Sequence, residues 1–323
     1  MKRLLLFLTL AVLAAACASP GPTAPTEVRT IRLPMGYLPS VQFAPFYVAD
    51  ARGYFAEEGL DLEFDYAFET DGVQLVGAEE VPFSLASGEQ VLLARQQGLP
   101  IVYVFGWWQD YPVAIAAPAS SGIEEPADLV GKTVGIPLLG GASYIGYAAM
   151  MSAHGLPLDA AMLQVIGFTQ AEALQAGQIE AAVVYANNEP IVLARQGFPV
   201  NVLRVADDVT LASNGMITNE ATLRGDPELV RRMLRATVRG LQDTLADPDA
   251  AFEICKDYVE GLTGETADIQ RQVLAESLPF WQAEHLGVSQ PAAWENMEQV
   301  MLAADLLAAP QDLAQAYTNE FVP

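Results

Sequence analysis

The sequence predicts a two-lobed α/β fold, on three observations. From Ile31 onward, short apolar runs alternate with helical stretches, the pattern of mainly parallel strands joined by crossover helices. The alternation runs through two separate series, and a later stretch, "SNGMITN", turns back toward the first. At 323 residues the chain also exceeds one ordinary domain, so each series is expected to have its own core.

In the first series "TIRLPMGYL" reads as a strand, "FAPFYVADARGYFAEEG" as a helix stopped by its glycine, and "LDLEFDYA" as the next strand. "VPFSLAS" supplies a third strand, "EQVLLARQQG" a helix ended by Gly98, and "PIVYVFGWW" a fourth strand. After "YPVAIAAPASSGIEEPADLVG" the second series begins with strand "KTVGIP" and the glycine-led helix "GGASYIGYAAMMSAHG". Strand "LQVIGF", helix "TQAEALQAGQ", strand "IEAAVVY", helix "NNEPIVLARQG" and strand "PVNVLRVA" complete it. The remainder reads as helical, opened by "DPELVRRMLRATVRGLQDTL", where Asp226 suits a helix cap and Pro227 the first turn.

The first residues address the chain to the cell envelope. Met1-Lys2-Arg3 is a positive end, Leu4 to Leu13 an apolar run, and "LAAAC" closes at Cys17. The run falls well short of the roughly 18 residues a membrane span needs, so it reads as a secretory signal. Ala14, Ala15, Ala16 and Cys17 resemble a bacterial lipobox, with its leucine, Leu13, one place early. The resemblance implies lipidation of Cys17. The stretch "ASPGPTAPTEVRT" then reads as a tether.

Cys17 and Cys255 are the only cysteines, so no disulfide framework is expected once Cys17 is lipidated. Phe252, Cys255 and Val259 share helical spacing, which places Cys255 in a core. Against 40 acidic residues stand 16 basic ones, a net charge of −24. That balance excludes nucleic acid as a partner, since phosphate binding depends on basic residues.

The stretches "GYLPSVQFAPFYVADARGYFAEEGLDLEF", "FSLASGEQVLLARQQGLPIVYV", "ADLVGKTVGIP", "ALQAGQIEAAVVYANNEP" and "LASNGMITN" resemble, in order and spacing, the type II periplasmic substrate-binding proteins of ABC importers. The similar branch holds the ThiY-like pyrimidine-precursor binders and the SsuA-like sulfonate binders. The resemblance implies a periplasmic-binding-protein type II fold, with a ligand cleft between two α/β domains joined by two crossing segments. It also implies a permease partner, an extracytoplasmic, lipid-anchored location and a monomer. The expected layout is a signal peptide at 1–16, a lipidated tether at 17–30, lobe one at 31–112 and 212–323, and lobe two at 113–211.

Ligands of open α/β sheets sit at the C-terminal ends of strands. Those ends offer Gln42, Phe43, Asp71, Ser87, Glu89, Trp107, Trp108 and Tyr111 in lobe one. Lobe two offers Gly141, Ser143, Tyr144, Tyr185, Asn187, Asn188 and Glu189. Plainer readings stand beside several: Ser143 as a helix cap, Phe43 as core, Glu89 as a solvated first-turn acid, and one of the paired tryptophans as packing. "FGWWQDYP" raises the sharpest question, because a buried strand face needs only one ring and here are three. The expected answer is an aromatic wall, made by one tryptophan with Tyr111.

No Lys or Arg stands at these strand ends, which disfavours a sulfonate or phosphate. The chemistry suits a neutral, flat heterocycle stacked on rings and read at its edges by amides and acids. Among nutrients carried by this branch, thiamine pyrimidine precursors and riboflavin fit. The number of rings, and polar groups left over for a polyol chain, favour riboflavin. An enzyme is the rival of another class, since yeast thiamine-pyrimidine synthases share the fold. Their cysteine-rich, iron-binding motif is missing here, and His154 and His285 stand apart from any cysteine. No catalytic residue, metal site or cofactor is expected.

Overall fold

The computed structural model describes residues 28–323. The expected signal peptide, Cys17 and nearly all of the expected tether lie outside the described residues. Among the described residues, no helix is long and apolar enough to cross a membrane.

The first part of the chain runs β1 (Arg29–Pro34), α1 (Ala44–Ala51), α2 (Tyr54–Glu57), β2 (Leu60–Asp65), α3 (Glu69–Gly77), β3 (Ser84–Ser87), α4 (Gly88–Gln96) and β4 (Ile101–Phe105). The second contains β5 (Val113–Pro118), β6 (Thr133–Ile136), α5 (Gly141–Ala153), β7 (Met162–Val165), α6 (Gln170–Gln175), β8 (Ala181–Tyr185), α7 (Glu189–Arg195) and β9 (Val200–Arg204). Then come β10 (Asn214–Asn219), α8 (Glu220–Gly225), α9 (Pro227–Ala246), α10 (Pro248–Cys255), α11 (Gly264–Trp281), α12 (Pro291–Ala303) and α13 (Leu313–Ala316).

Two helical segments depart from the sequence reading. The single helix expected over "FAPFYVADARGYFAEEG" is two, because Gly53 adopts a left-handed φ of 74° that ends α1. Helix α3 lies in a stretch with no assigned element; its glycine and polar residues obscure the buried Val73 and Val76.

The sheets are less uniformly parallel than expected. β1 and β2 pair in parallel, with Ile31 opposite Leu62. β10 lies between β3 and β4 and runs antiparallel to both. The larger sheet has the order β7-β6-β8-β5-β9, with β5 antiparallel to its two neighbours. Each antiparallel strand is one that has just crossed from the other sheet.

Helix α9 anchors the lobe that holds β1. Asp226 caps it by accepting from the Leu229 N–H, and Pro227 opens its first turn. Leu229, Met233, Leu234, Val238 and Leu241 face inward at helical spacing, while Arg231, Arg235 and Arg239 take the other side. A β-carbon at Gly240 would lie 2.1 Å from the Pro45 carbonyl oxygen, so the glycine sets how closely α9 crosses α1. Gly240→Leu should therefore lower stability by about 1–3 kcal/mol through overpacking. Arg224→Ala, at an exposed ion pair, should stay within about 0.5 kcal/mol. Equal shifts in urea unfolding for the two variants would contradict this packing.

Candidate ligand-binding site

Strand ends and helix starts of both lobes enclose a cavity of about 550 Å³. That is within the range of small-molecule sites. One side presents Tyr37, Gln42, Phe43, Glu69, Trp107 and Trp108; the other presents Gly140 to Ser143, Tyr185, Asn188 and Glu189, with Asn214 between them. Phe68, Leu138 and Phe168 are exposed at its rim. Tyr37 meets Phe168 edge to face across the cleft, with ring centres 5.2 Å apart.

The aromatic wall is a cluster. Trp107 and Trp108 are each 3% exposed, so both are packed, and both line the cavity. Trp107 lies 5.5 Å from Phe43 and 6.0 Å from Trp281, centre to centre. Trp108 touches Phe280, Trp281 and, across the cleft, Tyr185. Packing of this kind holds the rings at fixed positions.

Several helices begin at the cavity or one layer behind it. Gly140 stands at the N-cap of α5 without a side chain to satisfy the first amides, so that helix offers N–H donors to a ligand. Glu69, Glu89 and Glu189 occupy the first turns of α3, α4 and α7, where the helix dipoles favour them. Among the described residues, those lining the cavity include no Lys, Arg or His. Arg29 pairs with Asp226 at 3.0 Å and Arg95 with Glu220 at 3.1 Å, while Arg32 and Arg52 bind Asp65 and Asp243, all outside the cavity.

The carboxyl groups form a buried chain. The Tyr185 hydroxyl donates to Asn214 Oδ1 (3.2 Å), and Asn214 Nδ2 donates to Glu69 Oε1 (2.9 Å). Glu69 Oε2 accepts from the Ser87 hydroxyl (2.6 Å) and backbone N–H (3.2 Å). The same hydroxyl also bonds Glu89 Oε1. Burial, and then the charge of Glu69, push the Glu89 carboxyl up to about 8. Burial raises Glu69 and Glu189 as well. Glu189 is held by the Tyr185 backbone N–H at 2.9 Å and by Asn188 Nδ2 at 3.4 Å. Burial, reinforced by Glu189, takes Tyr37 up to about 12.

Of the residues the sequence offered, the structure brings Gln42, Phe43, Trp107, Trp108, Gly141, Ser143, Tyr185, Asn188 and Glu189 to the cavity. Ser143 lies within α5 rather than capping it, since the N-cap is Gly140. Asp71 does not reach the cavity: it lies on the exposed side of α3, and Glu69 takes the inner position. Ser87 and Glu89 are buried one layer behind it, in contact with Glu69. Glu89 is thus not a solvated first-turn acid. Tyr111 is core: its hydroxyl donates to the Ala142 carbonyl at 2.9 Å, and the bare face of Gly146 makes room for its ring. Tyr144 packs against the same core, and Asn187 donates to Ser277 Oγ at 2.7 Å, tying the turn after β8 to α11.

Tyr37, Phe68, Glu69, Phe168, Gln170 and Asn214 line the cavity without having been singled out. Asn214 was within reach, inside the returning stretch "SNGMITN". Glu69 was hidden by the missed helix. Cys255 is fully buried, and burial pushes its thiol up to about 12. Among the described residues, no group of three or more His, Cys, Asp or Glu side chains could hold a metal ion.

Two α/β lobes around a cleft at their strand ends define the periplasmic-binding-protein class. The alkanesulfonate-binding protein SsuA from Xanthomonas axonopodis pv. citri, solved bound to MOPS, superposes with a TM-score of 0.72 at 14% identity, covering 91% of this chain and 99% of that one. The chain belongs to the NMT1/THI5-like family, whose model matches residues 40–251. It is 44% identical to the riboflavin-binding protein RibY of Chloroflexus aurantiacus, over 96% of this chain and 91% of that protein. It is 29% identical to the formylaminopyrimidine-binding protein of Halalkalibacterium halodurans, over 94% of each.

The raised acids fix the sign of a pH effect. Between the ordinary glutamate value and about 8 the folded chain keeps a proton on Glu89 that the unfolded chain has released. Stability should fall as pH rises through that window, by up to about 1.4 kcal/mol per pH unit from this group, and level off above it. Glu69 and Glu189 act in the same direction, whereas Glu220, held low first by Arg224, acts only in acid. Urea unfolding from pH 5 to 9 should show a shallower fall for Glu89→Gln than for the native chain. Identical slopes would contradict a buried neutral Glu89.

Proposed function

We propose that this chain is the extracytoplasmic substrate-binding lipoprotein of an ABC importer, and that its ligand is riboflavin. The cavity carries the proposal: among the described residues it combines aromatic rings, amides and carboxyl groups with no cation, in about 550 Å³. A site of about 150 Å³ takes benzene. The larger volume therefore suits a fused ring system with a polyol chain better than a single pyrimidine. A sulfonate would meet Glu69 and Glu189 with no positive side chain to offset them. The 44% identity to a riboflavin-binding protein supports the same ligand.

In this reading the isoalloxazine ring lies against Phe43, Trp108 and Tyr185, and the open amides of α5 donate to its carbonyls. Contacts to both lobes at once favour the closed arrangement. The protein binds and releases without chemical turnover. Cys17 carries the lipid, the residues after it tether the protein, and the monomer hands its ligand to a permease.

Riboflavin titrated into the purified protein should lose its fluorescence saturably, and the formylaminopyrimidine should not compete at equal concentration. Trp108→Ala should weaken binding by about 0.5–1.5 kcal/mol, the scale of one aromatic contact, without unfolding the protein. A protein that ignores riboflavin but binds the pyrimidine would replace the ligand and keep the class. Cys17→Ala should move the protein from the membrane fraction to the soluble fraction of its host; no change would remove the anchor.

A further inference from the structure

Ser87 has one hydroxyl proton and two carboxyl groups to serve. It lies within hydrogen-bond distance of Glu69 Oε2 and Glu89 Oε1, yet it can donate to only one of them. The other must donate to it, and a carboxyl group donates only when protonated. The surroundings decide which. Glu69 receives Asn214 Nδ2–H, the Ser87 N–H and the Ser87 hydroxyl, three donors suited to an ionised group. The Asn214 amide is oriented for this by the Tyr185 hydroxyl on its oxygen. Glu89 is fully buried, its Oε2 has no hydrogen-bond partner, and its only other bond is a long one of 3.4 Å from Gln90. An ionised oxygen left so would be costly; the carbonyl oxygen of a neutral acid is less so.

We propose that Glu69, ionised, is the acceptor that selects a ligand presenting a polarised ring N–H beside a carbonyl, and that Glu89 is a positioning residue that holds Glu69 in that state through Ser87. A carboxylate offers about four acceptor positions, and three on Glu69 are filled from within the protein. The remaining one, on Oε1, serves the cavity that Glu69 lines. This rests on the riboflavin reading for the particular N–H, the imide at N3 of the isoalloxazine ring. The titratable groups facing the pair are Tyr103 from β4, Tyr111 from the β4–β5 passage, and Tyr185 from the other lobe, with Glu189 beyond Tyr185. The three tyrosines donate elsewhere, to Ser213 O, Ala142 O and Asn214 Oδ1, so none quenches either carboxyl.

Riboflavin and its N3-methyl derivative would be titrated into the native protein, Glu69→Gln and Glu89→Gln between pH 6 and pH 9. Methylation should weaken binding to the native protein by about tenfold or more, the range for a hydrogen bond to a charged group. Glu69→Gln should weaken riboflavin similarly and shrink the methyl effect to about threefold or less, as a coupled pair does in a double-mutant cycle. The native protein should lose affinity above about pH 8, where an ionised Glu89 competes with Glu69 for the one Ser87 hydroxyl proton, and Glu89→Gln should lack that alkaline loss. A methyl effect of equal size in the native protein and Glu69→Gln overturns the role of Glu69. An alkaline loss unchanged in Glu89→Gln overturns the role of Glu89. A native protein that binds riboflavin and its N3-methyl derivative equally also overturns the role of Glu69, so a variant that fails to fold does not hide the answer. If neither flavin binds, the riboflavin reading fails separately, and the Glu69→Gln comparison made with the formylaminopyrimidine decides the role of Glu69.

Discussion

The passage from Gly106 to Pro112, between β4 and β5, is where cleft, crossing and core meet. Strand alternation would send neighbouring side chains to opposite faces, but it holds only for extended, paired backbone. Here the Trp108 N–H bonds to the Asn214 carbonyl (2.9 Å) and the Gln109 N–H to the Phe280 carbonyl (2.7 Å). The chain is thereby turned away from β4 and pinned between β10 and the end of α11. Both indoles then go inward, and three large rings in a few residues cease to be a puzzle. Two belong to a wall built with Phe43, Phe280 and Trp281, and Tyr111 is a strut to the start of α5.

Because that wall is already packed, selectivity falls to the groups around it. The cleft carries acids at the starts of α3 and α7 and a bare helix start at α5, with no cation among the lining residues. Helix dipoles and backbone donors stabilise these acids where a cation otherwise would. A ligand anion is disfavoured, and a neutral molecule with N–H and carbonyl edges finds acceptors on one side and donors on the other. The fold shared with a sulfonate-binding protein thus need not imply a shared ligand, since the fold supplies the cleft and the side chains supply the chemistry.

The acids of this chain fall into two groups with opposite shifts. Most surface carboxylates that are held low sit beside arginines, such as Glu220 with Arg224 and Arg95, whereas the cleft acids are raised by burial. Surface pairs of this kind contribute little each. The cleft acids oppose folding as pH rises, a cost tolerated where function needs them.

Alternating runs, glycine stops and the Asp226-Pro227 helix start were legible because they are local: periodicity and capping depend on residues a few places apart. So were the cation-poor strand ends and the amide-rich "YANNEP" turn, of which Tyr185, Asn188 and Glu189 line the cavity. Helix α3 was hidden because Gly72 and its polar neighbours blur a short period, and with it went Glu69, while Asp71 seemed to stand at a strand end. Nothing in the sequence could show that Ser87 brings together two acids 20 residues apart, at positions 69 and 89. The sequence by itself determined the fold class, the charge and the kinds of side chain at the cleft. Only the tertiary structure decided which of them face it and which proton is shared, because burial and hydrogen bonding between distant residues depend on how the chain packs.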